Sequence, residues 1–298
     1  MTGQDRIDIV DPGDADERTR PRIWKRLGRL AILIVFTYVA VCVAVAFFQA
    51  RLIYFPSRGY DQTPEDAAIR FETVRLETAD GETVVGWYVP RVNATATVLF
   101  FHGNAGNMSD RLYDARVLKD LGFNVLLIDY RGYGESTGSP SEDGLYADAG
   151  AAWKYLTQTR GVPTERMVLF GRSLGGAVAI ELAKRHEPAV LVVESTFTRL
   201  ADVGNHHYAF LPVSLMLTQR FDSVTKIPHI ACPKLILHGT DDQLIPIALG
   251  RRLFAAAAEP KQFIQTPGGH NNSGFTFTEE YIRKFADFVN GALSDSAL

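Results

Sequence analysis

Cysteine is nearly absent: Cys42 and Cys232 are the two in 298 residues. One lies in an apolar run and the other far along the chain, which argues against a disulfide between them, and no cysteine cluster is available to bind a metal. Charge of one sign is lacking as well. The 31 Lys and Arg against 34 Asp and Glu leave a net charge of −3 spread through a mixed-sign sequence, which predicts no nucleic-acid partner. No internal repeat is visible. No Lys-Ser/Thr pair follows a glycine-rich loop, so there is no Walker motif. Gly132-Tyr133-Gly134 has its next glycine at Gly138, one residue late for a dinucleotide fingerprint. His206 and His207 are adjacent, so on a helix they face different directions, and nothing nearby completes a metal site.

What is there begins with a change of composition. The polar, turn-rich opening residues read as a disordered tail. Leu30 to Phe48 then runs LAILIVFTYVAVCVAVAFF without a charge. As a helix it spans about 28 Å, close to the hydrocarbon thickness of a bilayer. A cleaved signal peptide with Ala44-Val45-Ala46 as its processing site is the rival; the long polar region before the run and the length of the run argue against it. Arg18, Arg20, Arg22, Lys25, Arg26 and Arg29 precede the span, and only Arg51 and Arg58 follow closely. The positive-inside rule then puts the N-terminus in the cytoplasm and the rest of the chain outside it. The expected organisation is a cytoplasmic tail over 1–28, a transmembrane helix over 29–49, a linker over 50–70 and a catalytic domain over 71–292. Tyr54 reads as an interfacial anchor.

Beyond Phe71 the pattern is that of an α/β domain. FETVRLET and TVVGWYVP, around Gly81, alternate like an antiparallel hairpin. Short apolar runs follow at 97–101, 123–129, 167–170, 189–194, 234–239 and 261–265, as a strand buried on both faces requires. Helical patterns lie between them near 109–121, 143–158, 174–186, 246–258 and 277–291. About eight strands in a mostly parallel sheet flanked by helices are expected. One connection, 195–232, is long. Its Tyr208, Phe210, Leu211, Leu215, Met216 and Phe221 suit either a small cap over a pocket or a helical crossover packed on the core.

Chemistry in such a sheet collects at the carboxyl ends of its strands. The run MVLF leads into Gly171-Arg172-Ser173-Leu174-Gly175 and then a helical stretch. A strand–turn–helix bearing G-x-S-x-G presents its serine on a strained turn, and the glycines avoid a clash. A serine hydroxyl needs a base, and His270 in PGGHNN follows the last short strand. The histidine needs an acid to fix its tautomer; Asp241 and Asp242 lie just past the strand ending at His238. The glycine-rich stretch from His102 to Asn107 follows the first parallel strand. There the Asn104 N–H, with that of Leu174, supplies two donors for a tetrahedral oxyanion. The place of His102 favours a loop-orienting role over that of a base.

FFHGNAGN, DYRGYGES, GRSLGG, HGTDDQLIP and GGHNN, in this order and with the span-proximal RLIYFP, resemble the α/β-hydrolase superfamily in its serine-hydrolase branch. More narrowly they resemble membrane-anchored abhydrolase-domain and serine-aminopeptidase-like proteins. The likeness covers about residues 50 to 290. It implies Ser173 as nucleophile, His270 as base and Asp242 as acid, with Asn104 and Leu174 as the oxyanion hole. Asp241 is the fallback acid and Glu194 the next. Asp129 and Arg131 are expected to brace a loop. The implied enzyme is a membrane-anchored serine hydrolase cleaving acyl esters or thioesters through an acyl-enzyme. An amide-cleaving aminopeptidase, or a non-catalytic binding module on the same fold, are the alternatives. It calls for no metal or organic cofactor, and its partners are a small-molecule or lipid-like acyl substrate and a membrane. Of three N-x-S/T triplets, at Asn93, Asn107 and Asn271, the last is read as unmodified because a glycan there would crowd His270.

Overall fold

A computed structural model describes residues Arg20–Asp295; the part of the expected tail before Arg20 lies outside the described residues. The chain divides into two units, residues 1–47 and 48–298. In the first, α1 (Arg20–Phe47) is a 28-residue helix. Its Trp24–Phe47 stretch has a mean hydropathy of 2.8 and is long and apolar enough to cross a membrane, as an anchor or as a signal sequence. Leu30, Ile32, Leu33, Ile34 and Phe36 all stand exposed along it. The helix starts before residue 29, so Lys25, Arg26 and Arg29 belong to it.

Among the described residues of the second unit, eight strands form one sheet: β1 (Glu72–Glu77), β2 (Thr83–Val89), β3 (Ala96–Phe101), β4 (Phe123–Ile128), β5 (Met167–Arg172), β6 (Val190–Glu194), β7 (Lys234–Gly239) and β8 (Lys261–Thr266). Their order is β1-β2-β4-β3-β5-β6-β7-β8. β2 pairs antiparallel with both β1 and β4, and every other pairing is parallel. The eight apolar or alternating runs read from the sequence are these strands. In β3, β5, β6 and β7 every residue is buried, which is why their central residues read as short apolar runs.

Helices cover both faces. α2 (Leu112–Asp120) and α9 (Glu279–Asp295) pack Ala115, Leu118, Phe285 and Val289 onto one face, with Phe100 and Phe170. α3 (Glu142–Lys154), α4 (Leu174–Arg185) and α8 (Ile247–Ala256) pack Leu145, Ala149, Val178 and Leu253 onto the other. Each large apolar side chain buried this completely contributes about 1.5–3 kcal/mol. The long connection is a small cap of three short helices, α5 (Leu200–His207), α6 (Val213–Met216) and α7 (Ser223–Lys226). Phe221 belongs to the core and not to a pocket wall: it is fully buried, edge-on to Tyr146 at 5.8 Å.

The segment expected as a linker is built into the second unit. Gln49–Ile53 is a helical turn, and Phe55–Pro56 pairs in parallel with Ala105–Gly106. Tyr54 is buried and donates its hydroxyl hydrogen to Gln219 Oε1 at 2.8 Å. Its place is therefore inside the fold and not at a membrane interface.

Candidate active site

The strand order reverses about β3, which has β4 on one side and β5 on the other. At such a point the loops beyond the carboxyl ends part and leave a crevice. Residues 102–107 leave β3 there, and Ser173 leaves β5.

Ser173 stands between β5 and α4 at φ 54°, ψ −118°, a conformation that L-residues adopt only under constraint. The constraint is visible. Its N–H donates to Glu194 O at 2.8 Å, and its carbonyl accepts from Thr196 Oγ1 at 2.8 Å and from Gly176 N at 3.0 Å. The flanking glycines serve close approach: a Cβ on Gly171 would lie 2.2 Å from Gly175 O, and one on Gly175 would lie 2.1 Å from Phe101 O. Neither gap admits a side chain.

His270 follows β8 and brings its Nε2 to 3.1 Å from Ser173 Oγ; its Nδ1 lies 2.7 Å from Asp242 Oδ2. A hydrogen on Nδ1 donated to Asp242 leaves the Nε2 lone pair facing the serine hydroxyl. Asp242 is 4% exposed, and its Oδ1 accepts from the N–H groups of Leu244 and Ile245 at 2.9 and 2.8 Å. Burial raises this carboxyl, but hydrogen bonds from His238 and His270 and the nearby imidazole outweigh it, so it is held well below the usual carboxylate range. Asp241 is exposed and accepts from Thr240 Oγ1. Three of the expected residues thus meet in one chain of contacts, and the two fallback acids stand outside it.

Glu194 is buried elsewhere: its Oε2 accepts from Phe275 N at 2.9 Å, and its Oε1 lies 3.4 Å from Arg172 Nε. Burial holds its carboxyl above the usual carboxylate range, and Arg172 only partly offsets this. Sequence reasoning missed this pair and the buried His238, which donates to Ile245 O at 2.7 Å and lies 3.5 Å from Asp242. A charged residue inside a wholly buried strand end, where it must find a partner, was the available signal. His207, which in the sequence bears only on a metal site, donates from Nε2 to Leu244 O at 2.9 Å, tying the cap to the Asp242 loop.

Opposite the elbow, Gly103 runs so close that a Cβ on it would be 3.5 Å from Ser173 Cβ. His102 Nδ1 donates to Gly103 O at 2.7 Å, and its Nε2 lies 3.2 Å from Asp129 Oδ1. Asp129 Oδ1 also accepts from Met108 N at 2.7 Å, and Arg131 reaches both Asp148 and Asp80. Leu174 opens α4, so its N–H has no acceptor within the helix. Asn107 is buried with its amide spent on Ser57 O and Gly59 O, which removes it from the glycan acceptors.

The elements, their order and the loops they carry match known proteins. A family model described as serine aminopeptidase, S33, matches residues 92–221. The Mycobacterium tuberculosis protein Rv2307c is 42% identical over 253 residues, covering 83% of this chain and 90% of its own. The α/β hydrolase domain-containing protein WAV2 of Arabidopsis thaliana is 33% identical over 284 residues, 86% of this chain and 91% of its own. In structure, the Pyrococcus furiosus esterase Pf2001 superposes with a TM-score of 0.68 at 22% identity, covering 80% of this chain and 99% of that one. Sheet order, strand-end loops and full-length relatives agree, and the chain belongs to the α/β-hydrolase superfamily.

Proposed function

We propose that the protein is a serine hydrolase that cleaves acyl esters or thioesters through an acyl-enzyme. The observation that carries this reading is the contact chain Ser173 Oγ–His270 Nε2–Asp242 at 3.1 and 2.7 Å, with the serine in a constrained turn. Ser173 Oγ attacks the acyl carbonyl carbon as its proton passes to His270 Nε2. Asp242 keeps the imidazole in the required tautomer and stabilises the imidazolium. The N–H groups of Asn104 and Leu174 receive the oxyanion. Collapse of the tetrahedral adduct expels the alcohol or thiol, which takes the proton from His270. Water, deprotonated by the same nitrogen, then releases the acid and restores Ser173. This cycle requires no metal or organic cofactor.

The esterase likeness in fold supports an acyl substrate, as do the exposed cap residues Tyr208 and Leu215. A second reading, hydrolysis of an aminoacyl amide, is favoured by the description of the matched family. The apolar helix α1 supports a membrane anchor, and the basic residues before it support a cytoplasmic N-terminus with the catalytic unit outside.

The test is covalent labelling. A fluorophosphonate probe is expected to label the full chain and not Ser173→Ala, with the two proteins equal in thermal unfolding. Equal labelling would remove Ser173 as nucleophile.

A further inference from the structure

Loop 102–107 is short and glycine-rich, and Gly106 sits at φ 76°. Left to itself such a loop samples several peptide orientations, which suits an oxyanion donor poorly because the donor must be aimed before charge develops. What holds it comes from far away in the chain. Phe55 N donates to Asn104 O at 2.9 Å and Ser57 N to Gly106 O at 3.0 Å. In return Asn104 Nδ2 donates to Ile53 O at 2.8 Å, and Asn107 Nδ2 to Gly59 O at 2.6 Å. The segment is itself fixed from behind: Gly134 N donates to Ser57 O at 2.9 Å, and Arg58 Nη1 to Ser136 O at 2.6 Å.

The consequence falls on Asn104. The peptide after its Cα is pinned through its carbonyl by Phe55 N and by Tyr133 Oη, the latter at 2.7 Å. The peptide before its Cα, which carries the Asn104 N–H, is pinned through Gly103 O by His102. A trans peptide is planar with its N–H opposed to its C=O, so the Gly103 carbonyl sets the direction of the Asn104 N–H, and the pinned Asn104 carbonyl keeps the Cα between the two peptides from turning.

We propose that residues 53–59 are a strap that positions the oxyanion loop, making the stretch between the apolar helix and the sheet part of the catalytic apparatus without touching substrate. The inference rests on the serine-hydrolase reading above. The same stretch also holds the cap, since Gln49 Oε1 accepts from Thr218 N at 2.9 Å and Tyr54 donates to Gln219.

The experiment uses the full chain in detergent and three variants. Phe55→Pro removes the N–H that holds Asn104 O; Asn104→Ala cuts the loop from Ile53 but keeps its own backbone N–H; Tyr133→Phe removes one hydroxyl. Each is assayed for ester hydrolysis and for inhibition by an acyl trifluoromethyl ketone, whose hemiketal oxygen occupies the oxyanion position. For Phe55→Pro and Asn104→Ala, kcat/KM is expected to fall about 10- to 100-fold and the ketone Ki to rise in step, with KM within about threefold. Tyr133→Phe, the variant surest to fold, is expected to raise Ki at least ~threefold. A wild-type Ki in both Phe55→Pro and Asn104→Ala, or a fall in kcat with Ki unchanged in the two, overturns the strap, and a larger effect in Tyr133→Phe than in either moves the anchoring from the strap to Tyr133. Ser173→Ala is run beside them. If it is dead while the strap variants behave as wild type, the strap alone falls; if it still turns over ester, the hydrolase reading falls and the strap's catalytic role with it.

Discussion

Arg172 donates a hydrogen bond from Nη2 to the backbone carbonyl of His270 at 2.9 Å, so the residue preceding Ser173 holds the loop that carries His270. Its other side faces Glu194, and both side chains are almost wholly buried. Removing one member of such a pair leaves a buried charge without compensation. Arg172→Met is therefore expected to cost about 3 kcal/mol in denaturant unfolding, and adding Glu194→Gln should recover much of it. Activity should follow a different rule. The double variant still lacks the tie to His270, so kcat/KM should stay roughly tenfold down although stability returns. Recovery of both together would make Arg172 purely structural.

The two adjacent aspartates are expected to separate sharply. Asp242→Asn should lower kcat/KM by roughly 10⁴-fold, because an amide stabilises the wrong imidazole tautomer. Asp241→Asn, at an exposed carboxylate outside the contact chain, should cost less than ~threefold. The reverse ranking would shift the acid by one residue.

Asp242 also sets a pH dependence of stability. Its folded-state pKa is depressed by His238, His270 and backbone donors despite the burial that raises it. A depressed carboxyl contributes stability above its unfolded value of about 3.9 and loses it as pH falls towards the folded value. The gap in unfolding free energy between wild type and Asp242→Asn should therefore be full at neutral pH and narrow below about pH 4. A gap that widens in acid would contradict the assigned contacts.

Gly175→Ala tests the elbow's packing. The new Cβ would meet the carbonyls of Phe101 and His102 at 2.1 and 2.5 Å, both backbone atoms of a central strand and its loop. Overpacking against atoms that cannot rotate away should destabilise by about 3 kcal/mol, the upper part of the usual range. Gly150→Ala, with open space at its Cβ position, should be neutral or slightly stabilising because alanine favours the helix. Unfolding midpoints of the two variants make the comparison.

Substrate and orientation are tested together. If the apolar cap residues line an acyl site, each CH₂ added to the chain contributes up to about 0.8 kcal/mol. Among acyl esters, thioesters and aminoacyl amides, kcat/KM should then rise from acetyl to hexanoyl or octanoyl and be lowest for the amides. A steady fall beyond acetyl would mean a small pocket, and preference for the amides would favour the aminopeptidase reading. A reporter fused after Leu298 should be active outside the cytoplasm; a cytoplasmic reporter would reverse the orientation.

How much of this was legible depended on where the information is stored. Strands buried on two faces must be apolar through their centres, so runs such as 123–128 announce themselves, and their turns follow. The elbow was legible because close backbone approach forces glycine at Gly171 and Gly175. The segment after the apolar helix was not, and it read as a linker. Its pairing with residues 105–106 runs through backbone atoms over two residues, too short for any periodicity. Tyr54 was misread for a related reason: a tyrosine near an apolar helix suits an interface as well as a core, and only Gln219, 165 positions away, decides between them. Glu194 ends a strand, which in the sequence makes it a fallback acid after Asp241. Its real neighbours, Arg172 and Phe275, become visible only once β6 lies beside β5.

Among the described residues β8 lies at the edge of the sheet and pairs with β7 alone, and His270 stands 97 positions after Ser173. A domain folds as a unit, so this last edge must be synthesised before the sheet can close. A nascent chain that has emerged only as far as Thr266 still lacks His270, the group assigned to take the proton of Ser173. Under the proposed chemistry, the order of biosynthesis itself delays reactivity: the nucleophile stays inert towards esters it meets until the last sheet edge closes.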